Sequence, residues 1–134
     1  MTINYISVFV AAVAAFAFGA IWYGPLFGKQ WMAMMGFTKE SMKMMKLTPA
    51  QAMGLGFVTA IIVAYVLAYF AAALGVQGAS GALSLAFLVW LGFVATTLMG
   101  SFLWEGKPFK LFAFNAVYQL ISFSIMSLIV VLWQ

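Results

Sequence analysis

Four long apolar stretches constrain this chain more than any other feature. They run from about residue 4 to 23, 49 to 74, 80 to 103 and 109 to 133. A helix needs about 20 apolar residues to cross the ~30 Å hydrocarbon core of a bilayer, and each stretch is long enough. Backbone groups in lipid must be hydrogen-bonded within the chain, and the alternating pattern of a membrane barrel is missing. The sequence predicts an all-α, polytopic membrane protein, a four-transmembrane-helix bundle forming a single membrane domain over residues 1–134.

The composition excludes other classes of protein. Hydrophobic residues make up 67% of the 134 residues and charged residues only 6%, whereas soluble domains carry about 25% charged residues. So few charges exclude a soluble monomer and a nucleic-acid-binding module alike. We therefore expect membrane lipid as a partner and no nucleic acid.

The residue types restrict the chemistry. The chain has no His, Cys, Asp or Arg, which excludes His- or Cys-based zinc sites and His-dependent nucleophilic catalysis. We expect no enzyme activity, no metal and no cofactor. One alternative is a copper(I) site, because thioethers are soft ligands and residues 29–47 hold six of the ten methionines. The favoured interpretation is that these methionines form an irregular, membrane-contacting face. The six are Met32, Met34, Met35, Met42, Met44 and Met45.

The lysines indicate the orientation. All six lie in two connections, after the first and third stretches: Lys29, Lys39, Lys43, Lys46, Lys107 and Lys110. With four spans, both connections fall on one side, which the positive-inside rule places in the cytoplasm. We predict a multi-pass protein of the bacterial cytoplasmic (inner) membrane with both termini on the periplasmic side. A Trp-Tyr-Gly-Pro corner follows the first stretch and no basic segment precedes it, so we expect a retained span rather than a cleaved signal peptide.

The segment 28–48 is the one sizeable region outside the spans. Lys39, Lys43 and Lys46 recur at helical spacing, which predicts a short amphipathic helix in the cytoplasmic interface. We expect these lysines and Trp31 to contact lipid headgroups. The second span has a clear start, with Thr48 as N-cap, Pro49 in the first turn and Gln51 as capping-box partner.

Small residues recur every four positions in three stretches. The rows are Ser7, Ala11, Ala15 and Gly19 in the first, Gly56, Ala60, Ala64, Ala68 and Ala72 in the second, and a patchier Ser80, Ser84, Gly92, Thr96 and Gly100 in the third. Such rows let helix backbones approach closely in lipid. Packing within the bundle is the favoured role of these rows, the second included, and a homo-oligomer interface is the alternative. We predict a homo-oligomer, with a two-fold dimer as the favoured form.

A polar face on the fourth stretch is the candidate ligand site. Asn115, Gln119 and Ser122 follow i, i+4, i+7 spacing, with Tyr118 beside them. Thr59, Thr96 and Thr97 fall at comparable depths on the other spans. Bare amides in hydrocarbon need partners. The patch therefore either hydrogen-bonds between helices or holds a small ligand or headgroup.

Two similar motifs lie at the cytoplasmic exits of the first and third spans. Both read W-x-G-x-x-F, at an offset of 82 residues. The pair indicates either an internal repeat or the common gathering of aromatic, Gly and Pro residues at membrane exits. The motif residues are Trp22, Gly24, Pro25 and Phe27, and then Trp104, Glu105, Gly106, Pro108 and Phe109.

These motifs carry a resemblance to a known family. The run Gly19-Ala20-Ile21-Trp22-Tyr23-Gly24-Pro25-Leu26-Phe27-Gly28-Lys29-Gln30-Trp31 resembles the signature of the DUF1761 family of small bacterial membrane proteins. The later runs Trp90-Leu91-Gly92-Phe93, Trp104 to Leu111 and Asn115-Ala116-Val117-Tyr118 are similar to that family's second half. The absence of histidine departs from the family pattern and argues against any histidine-dependent role. The family's function is unknown, so the resemblance implies a four-span bacterial protein and names no substrate.

Three functions remain at this point. We favour a non-catalytic structural, accessory or lipid-associating membrane component. The alternative is a small-molecule transporter or channel using the polar face of the fourth span. A lipid-modifying enzyme is the least favoured. A cavity reaching Gln119 would favour the transporter, and a dry bundle the first function.

Overall fold

The computed structural model describes residues 2–134. Within them, four helices are long and apolar enough to cross a membrane: α1 with its final turn (Tyr5–Leu26), α4 (Pro49–Leu74), α5 (Gly78–Leu103) and α6 (Phe109–Leu132). This confirms the predicted all-helical, four-span architecture. Two short helices, α2 (Gly28–Met35) and α3 (Lys39–Lys43), lie between α1 and α4.

Local capping groups fix where the spans begin. The Thr48 side chain accepts the backbone N–H of Gln51, and the Gln51 side chain accepts that of Thr48, so the predicted capping box forms. Asn4 caps α1 and also donates to the Trp133 carbonyl at 3.1 Å. This bond ties the start of α1 to the end of α6.

The central helix of the bundle is α6, which packs against α1, α4 and α5. The small-residue row of α1 forms part of this contact, since Ser7, Ala11 and Ala15 are buried. On the other side, Ser127 donates to the carbonyl of Ala82 at 2.7 Å. Small side chains and a buried hydroxyl thus hold the helices together, as expected where lipid supplies no hydrophobic drive between them.

The helix α4 is only half packed. Its C-terminal half contributes buried Ala64, Leu67, Ala68 and Ala71, while residues 48–56 at its start are all exposed. It packs against α1 and α6 but scarcely touches α5. The second row of small residues therefore packs within its own chain, the favoured role, because Ala64 and Ala68 are buried there.

The third row, on α5, was expected to pack against another helix but lies on an exposed face. Ser80, Ser84, Gly92 and Thr96 are exposed, and α5 instead buries Ala82, Leu85 and Ala86. A wider, π-helical turn at Trp90–Ala95 interrupts α5. Since Ser80 and Ser84 precede this turn and are already exposed, a four-residue spacing of small residues does not by itself identify the face that packs.

The segment between α1 and α4 forms two short helices in place of the one expected. Gly36, with φ of 72°, ends α2, and Thr38 begins α3 with a second capping box to Ser41. Lys39 and Lys43 lie on α3, while Lys46 follows it. All three lysines are exposed, as are Met42, Met44 and Met45.

Candidate ligand-binding cleft

A cleft of about 530 Å³ opens between α1, α4 and α6, with Val94 of α5 at its edge. It extends along α4 from Met53 to Val63. These residues belong to the half of α4 nearer its lysine-rich N-terminal end, so the cleft lies in one half of the membrane-spanning region. Most of its lining is apolar, and within residues 2–134 no charged side chain contributes to it.

Four residues of the predicted polar patch meet at this cleft: Thr59, Tyr118, Gln119 and Ser122. The Thr59 hydroxyl donates to the carbonyl of Gly56 at 2.7 Å, which leaves its oxygen able to accept a further bond. The helix α6 brings the other three together because they lie one turn apart at most. Their polar atoms supply both donors and acceptors at one depth.

Gln119 brings an amide side chain to the cleft. Between the spans, Tyr23 is paired with Asn115, Trp90 with Ala116 and Ser127 with Ala82, but among residues 2–134 the Gln119 amide takes part in no such bond. An amide at hydrocarbon depth without a partner is costly. The cleft therefore presents an available amide to whatever fills it.

The remaining members of the predicted patch lie elsewhere. Asn115 accepts a hydrogen bond from the Tyr23 hydroxyl at 2.6 Å, so it joins α6 to the end of α1. Thr96 and Thr97 are exposed, and each hydroxyl donates to the carbonyl four residues earlier on α5. Neither threonine lines the cleft, although both were expected to contribute to the patch.

The contribution of α1 to the cleft was not predicted. Ala15, Phe16, Gly19 and Ala20 line one wall, and Gly19 lies against the ring of Tyr118. The signal was present in the α1 row of small residues, which ends at Gly19. That row indicated close helix contact, and the same closeness places α1 beside the polar face of α6.

An aromatic cluster closes one end of the bundle beside the cleft, where α1 ends and α6 begins. Trp22 lies with its ring centroid 4.7 Å from Phe27, 5.3 Å from Phe114 and 6.0 Å from Tyr118. Trp22 is 8% exposed, and its indole Nε1 has no hydrogen-bond partner within residues 2–134. Surrounding rings offer it only π faces, which accept weak hydrogen bonds.

The first exit motif builds this cluster by breaking α1. Gly24 takes φ of −109° and ψ of −108°, outside the helical region, and Pro25 follows it. The chain then turns into α2, where Trp31 packs edge-on against Tyr23 at 5.3 Å. Trp31, which was expected to contact headgroups, thus packs α2 against the end of α1.

The second exit motif adopts a different structure. Trp104 is 86% exposed, and Gly106 takes φ of 70° after the end of α5. Lys107 donates its backbone N–H to the carbonyl of Ser101, which closes the helix end. Glu105, Pro108 and Phe109 of this motif are exposed as well. The two motifs share residue types, but they differ in backbone conformation and in burial.

Comparison with known proteins gives one match. The family model described as a protein of unknown function, DUF1761, matches residues 6–131. No curated protein and no solved structure matches the chain. The match includes all four spans, both exit motifs and the cleft. The chain therefore belongs to the DUF1761 family, a family of proteins of unknown function.

Proposed function

We propose that the protein is a non-catalytic membrane protein that holds one neutral lipid molecule in the cleft between α1, α4 and α6. The observation that carries this proposal is the Gln119 amide, which faces the cleft at hydrocarbon depth and hydrogen-bonds to no group among residues 2–134. A ligand with a hydroxyl or carbonyl group would satisfy it.

The lining supports a lipid rather than a hydrophilic solute. Apolar side chains such as Phe16, Val63 and Met126 dominate the cleft, and its polar atoms come from uncharged groups. A phosphate or ammonium group would lie there without an opposite charge, which is unfavourable at low dielectric. A diacylglycerol or another lipid with an uncharged polar head fits the lining.

The test compares lipid retention by matched variants. Wild-type protein in nanodiscs of phosphatidylglycerol with added diacylglycerol is transferred to mild detergent, and bound lipid is identified by native mass spectrometry. Gln119→Leu should lower diacylglycerol retention about fivefold, the equivalent of one hydrogen bond of about 1 kcal/mol between groups in a membrane. Gln30→Leu, at an exposed position on α2, should retain as much as wild type. Equal retention by all three proteins would refute the proposal.

A transporter is the second candidate, and one observation favours it. The spans beside the cleft are interrupted, α1 at Gly24 and α5 at Trp90–Ala95, and broken helices commonly surround binding sites in transporters. Movement of a fluorescent diacylglycerol between the leaflets of reconstituted vesicles distinguishes the two. Retention without movement supports lipid holding, and movement that is lost in Gln119→Leu supports transport.

Location and assembly are part of the proposal. The lysine-rich ends support an inner-membrane protein with cytoplasmic connections and periplasmic termini. Self-association as a homodimer fits the α5 face better than the α4 row, since Ser80 and Ser84 are exposed while Ala64 and Ala68 are buried. Close approach of two α5 helices requires small residues of this kind.

A further inference from the structure

A second groove, of about 360 Å³, lies where α4 and α5 fail to meet. All of its lining side chains are apolar. Ile62, Val66 and Phe70 come from α4, and Val89 and Phe93 come from α5. Ile62 and Phe93 are 56% and 70% exposed, so the groove opens sideways to the surrounding lipid.

The groove and the polar cleft are continuous. Val63, Val94 and Phe123 line both of them, so these three side chains form a shared wall between the two spaces. From Val63 the groove continues along α4 to Phe70, about two helical turns or about 10 Å. The polar groups lie on one side of the shared wall, and the apolar groove leads from there toward the opposite leaflet.

The π-helical turn of α5 holds this gap open. Trp90 begins the turn, and its indole N–H donates to the carbonyl of Ala116 on α6 at 2.8 Å. This bond fastens α5 to α6 at the level of the groove, while α4 is packed against α1 and α6 through Ala64, Leu67 and Ala68. Both walls are thus held by α6 instead of by each other.

We infer that the gap between α4 and α5 is the lateral access route of the cleft and holds the hydrocarbon chain of the lipid whose neutral head group binds at Thr59, Tyr118 and Gln119. This inference rests on the proposed lipid-binding function and adds the path and orientation of the ligand. The chain of one molecule is the occupant because the groove begins where the polar cleft ends, across only Val63, Val94 and Phe123. Because the groove opens sideways to the bilayer, a lipid reaches the cleft without passing through water.

The test maps both ends of a lipid separately. Two photoreactive diacylglycerols are used in nanodiscs of phosphatidylglycerol, one with a diazirine at the glycerol and one with a diazirine near the end of an acyl chain. After irradiation, the labelled residues are identified by peptide mass spectrometry. The head probe should label α4 near Thr59 and α6 near Gln119, and the tail probe should label α4 at Val66–Phe70 and α5 at Val89–Phe93.

A matched pair of variants blocks the groove without changing the polar cleft. Val66→Trp places an indole in the groove and should abolish tail labelling of α5. Val58→Trp, on an exposed face of α4 that lines neither space, should label as wild type. Circular dichroism and size-exclusion profiles equal to wild type establish that both variants are folded.

The outcomes distinguish failure of the access route from failure of the proposed lipid binding. Head labelling in the cleft with tail labelling spread over the outer faces of α1 would overturn the access route and leave lipid binding intact. Absence of head labelling from the cleft would overturn both. Tail labelling of α5 that survives in Val66→Trp would also overturn the route.

Discussion

At Gly19 a hydrogen atom occupies the space where any other residue would carry a Cβ. That Cβ would lie 2.6 Å from the Tyr118 hydroxyl oxygen. The Tyr118 ring cannot move away easily, because it stacks on Phe18 at 5.5 Å and meets Tyr23 at 4.9 Å. We predict that Gly19→Ala lowers stability by about 1–3 kcal/mol, the cost of overpacking a core, as measured by the melting temperature in mild detergent.

The control for this substitution is Gly54→Ala. A Cβ at Gly54 would meet nothing within 4 Å, so this variant should melt at or slightly above the temperature of wild type, since Ala is the better helix former. If the two variants have the same melting temperature, the contact between α1 and the Tyr118 ring is not tight.

Residue spacing predicted part of the candidate site. Helical periodicity places Tyr118, Gln119 and Ser122 on neighbouring parts of α6, and Thr59 of α4 lines the same cleft. Thr96 and Thr97 could not be placed in the same way. A hydroxyl in a membrane helix can bond its own backbone, so depth alone does not decide which direction it faces.

At the scale of elements, the lysine-rich segment between α1 and α4 supports a prediction about lipid. Lys39, Lys43 and Lys46 are all exposed, and a lysine near an anionic membrane surface contributes about 1 kcal/mol. Replacing the three with glutamine should weaken retention of phosphatidylglycerol, measured by native mass spectrometry, without changing the melting temperature.

The matched control for the lysines is Gln30→Lys on α2, which adds one charge on the same connection and should strengthen retention. Salt should weaken wild-type retention and leave the glutamine variant nearly unchanged, since screening acts on exposed charges. Unchanged lipid retention in the triple variant would contradict the interfacial role of this segment.

Helix boundaries were predictable where a local signal exists and were not where packing decides. Thr48, Pro49 and Gln51 marked the start of α4 because capping is a short-range interaction. The residues of the π-helical turn at Trp90–Ala95 include no comparable capping motif. The turn is accompanied by the Trp90 bond to Ala116, a tertiary contact that involves a residue on another helix.

For the whole molecule, the lysine distribution predicts the orientation. A reporter fused after Gln134 should be active on the periplasmic side, and one inserted after Gly36 should be active in the cytoplasm. Moving charge tests the cause: lysines introduced at Val76 and Gln77, in the connection between α4 and α5, should produce a mixed or inverted topology. A cytoplasmic reporter at Gln134 in the wild-type protein would contradict the assignment.

Assembly also belongs to the whole molecule, and the exposed small residues of α5 are the better candidates for a dimer interface than the buried ones of α4. Ala64 is fully buried within the chain, so Ala64→Leu should lower the melting temperature of the chain itself through overpacking. Ser84 is exposed on α5 beside Ser80, and Ser84→Leu should instead shift the protein from dimer to monomer with an unchanged melting temperature of the monomer. Ala17→Leu, a similar enlargement at an exposed position on α1, serves as the control and should change neither property.

Sizing by light scattering in mild detergent and in lipid discs measures the oligomer. A wild-type chain that stays monomeric at high concentration in both would refute the dimer, and a Ser84→Leu chain that remains dimeric would exclude the α5 face as its interface.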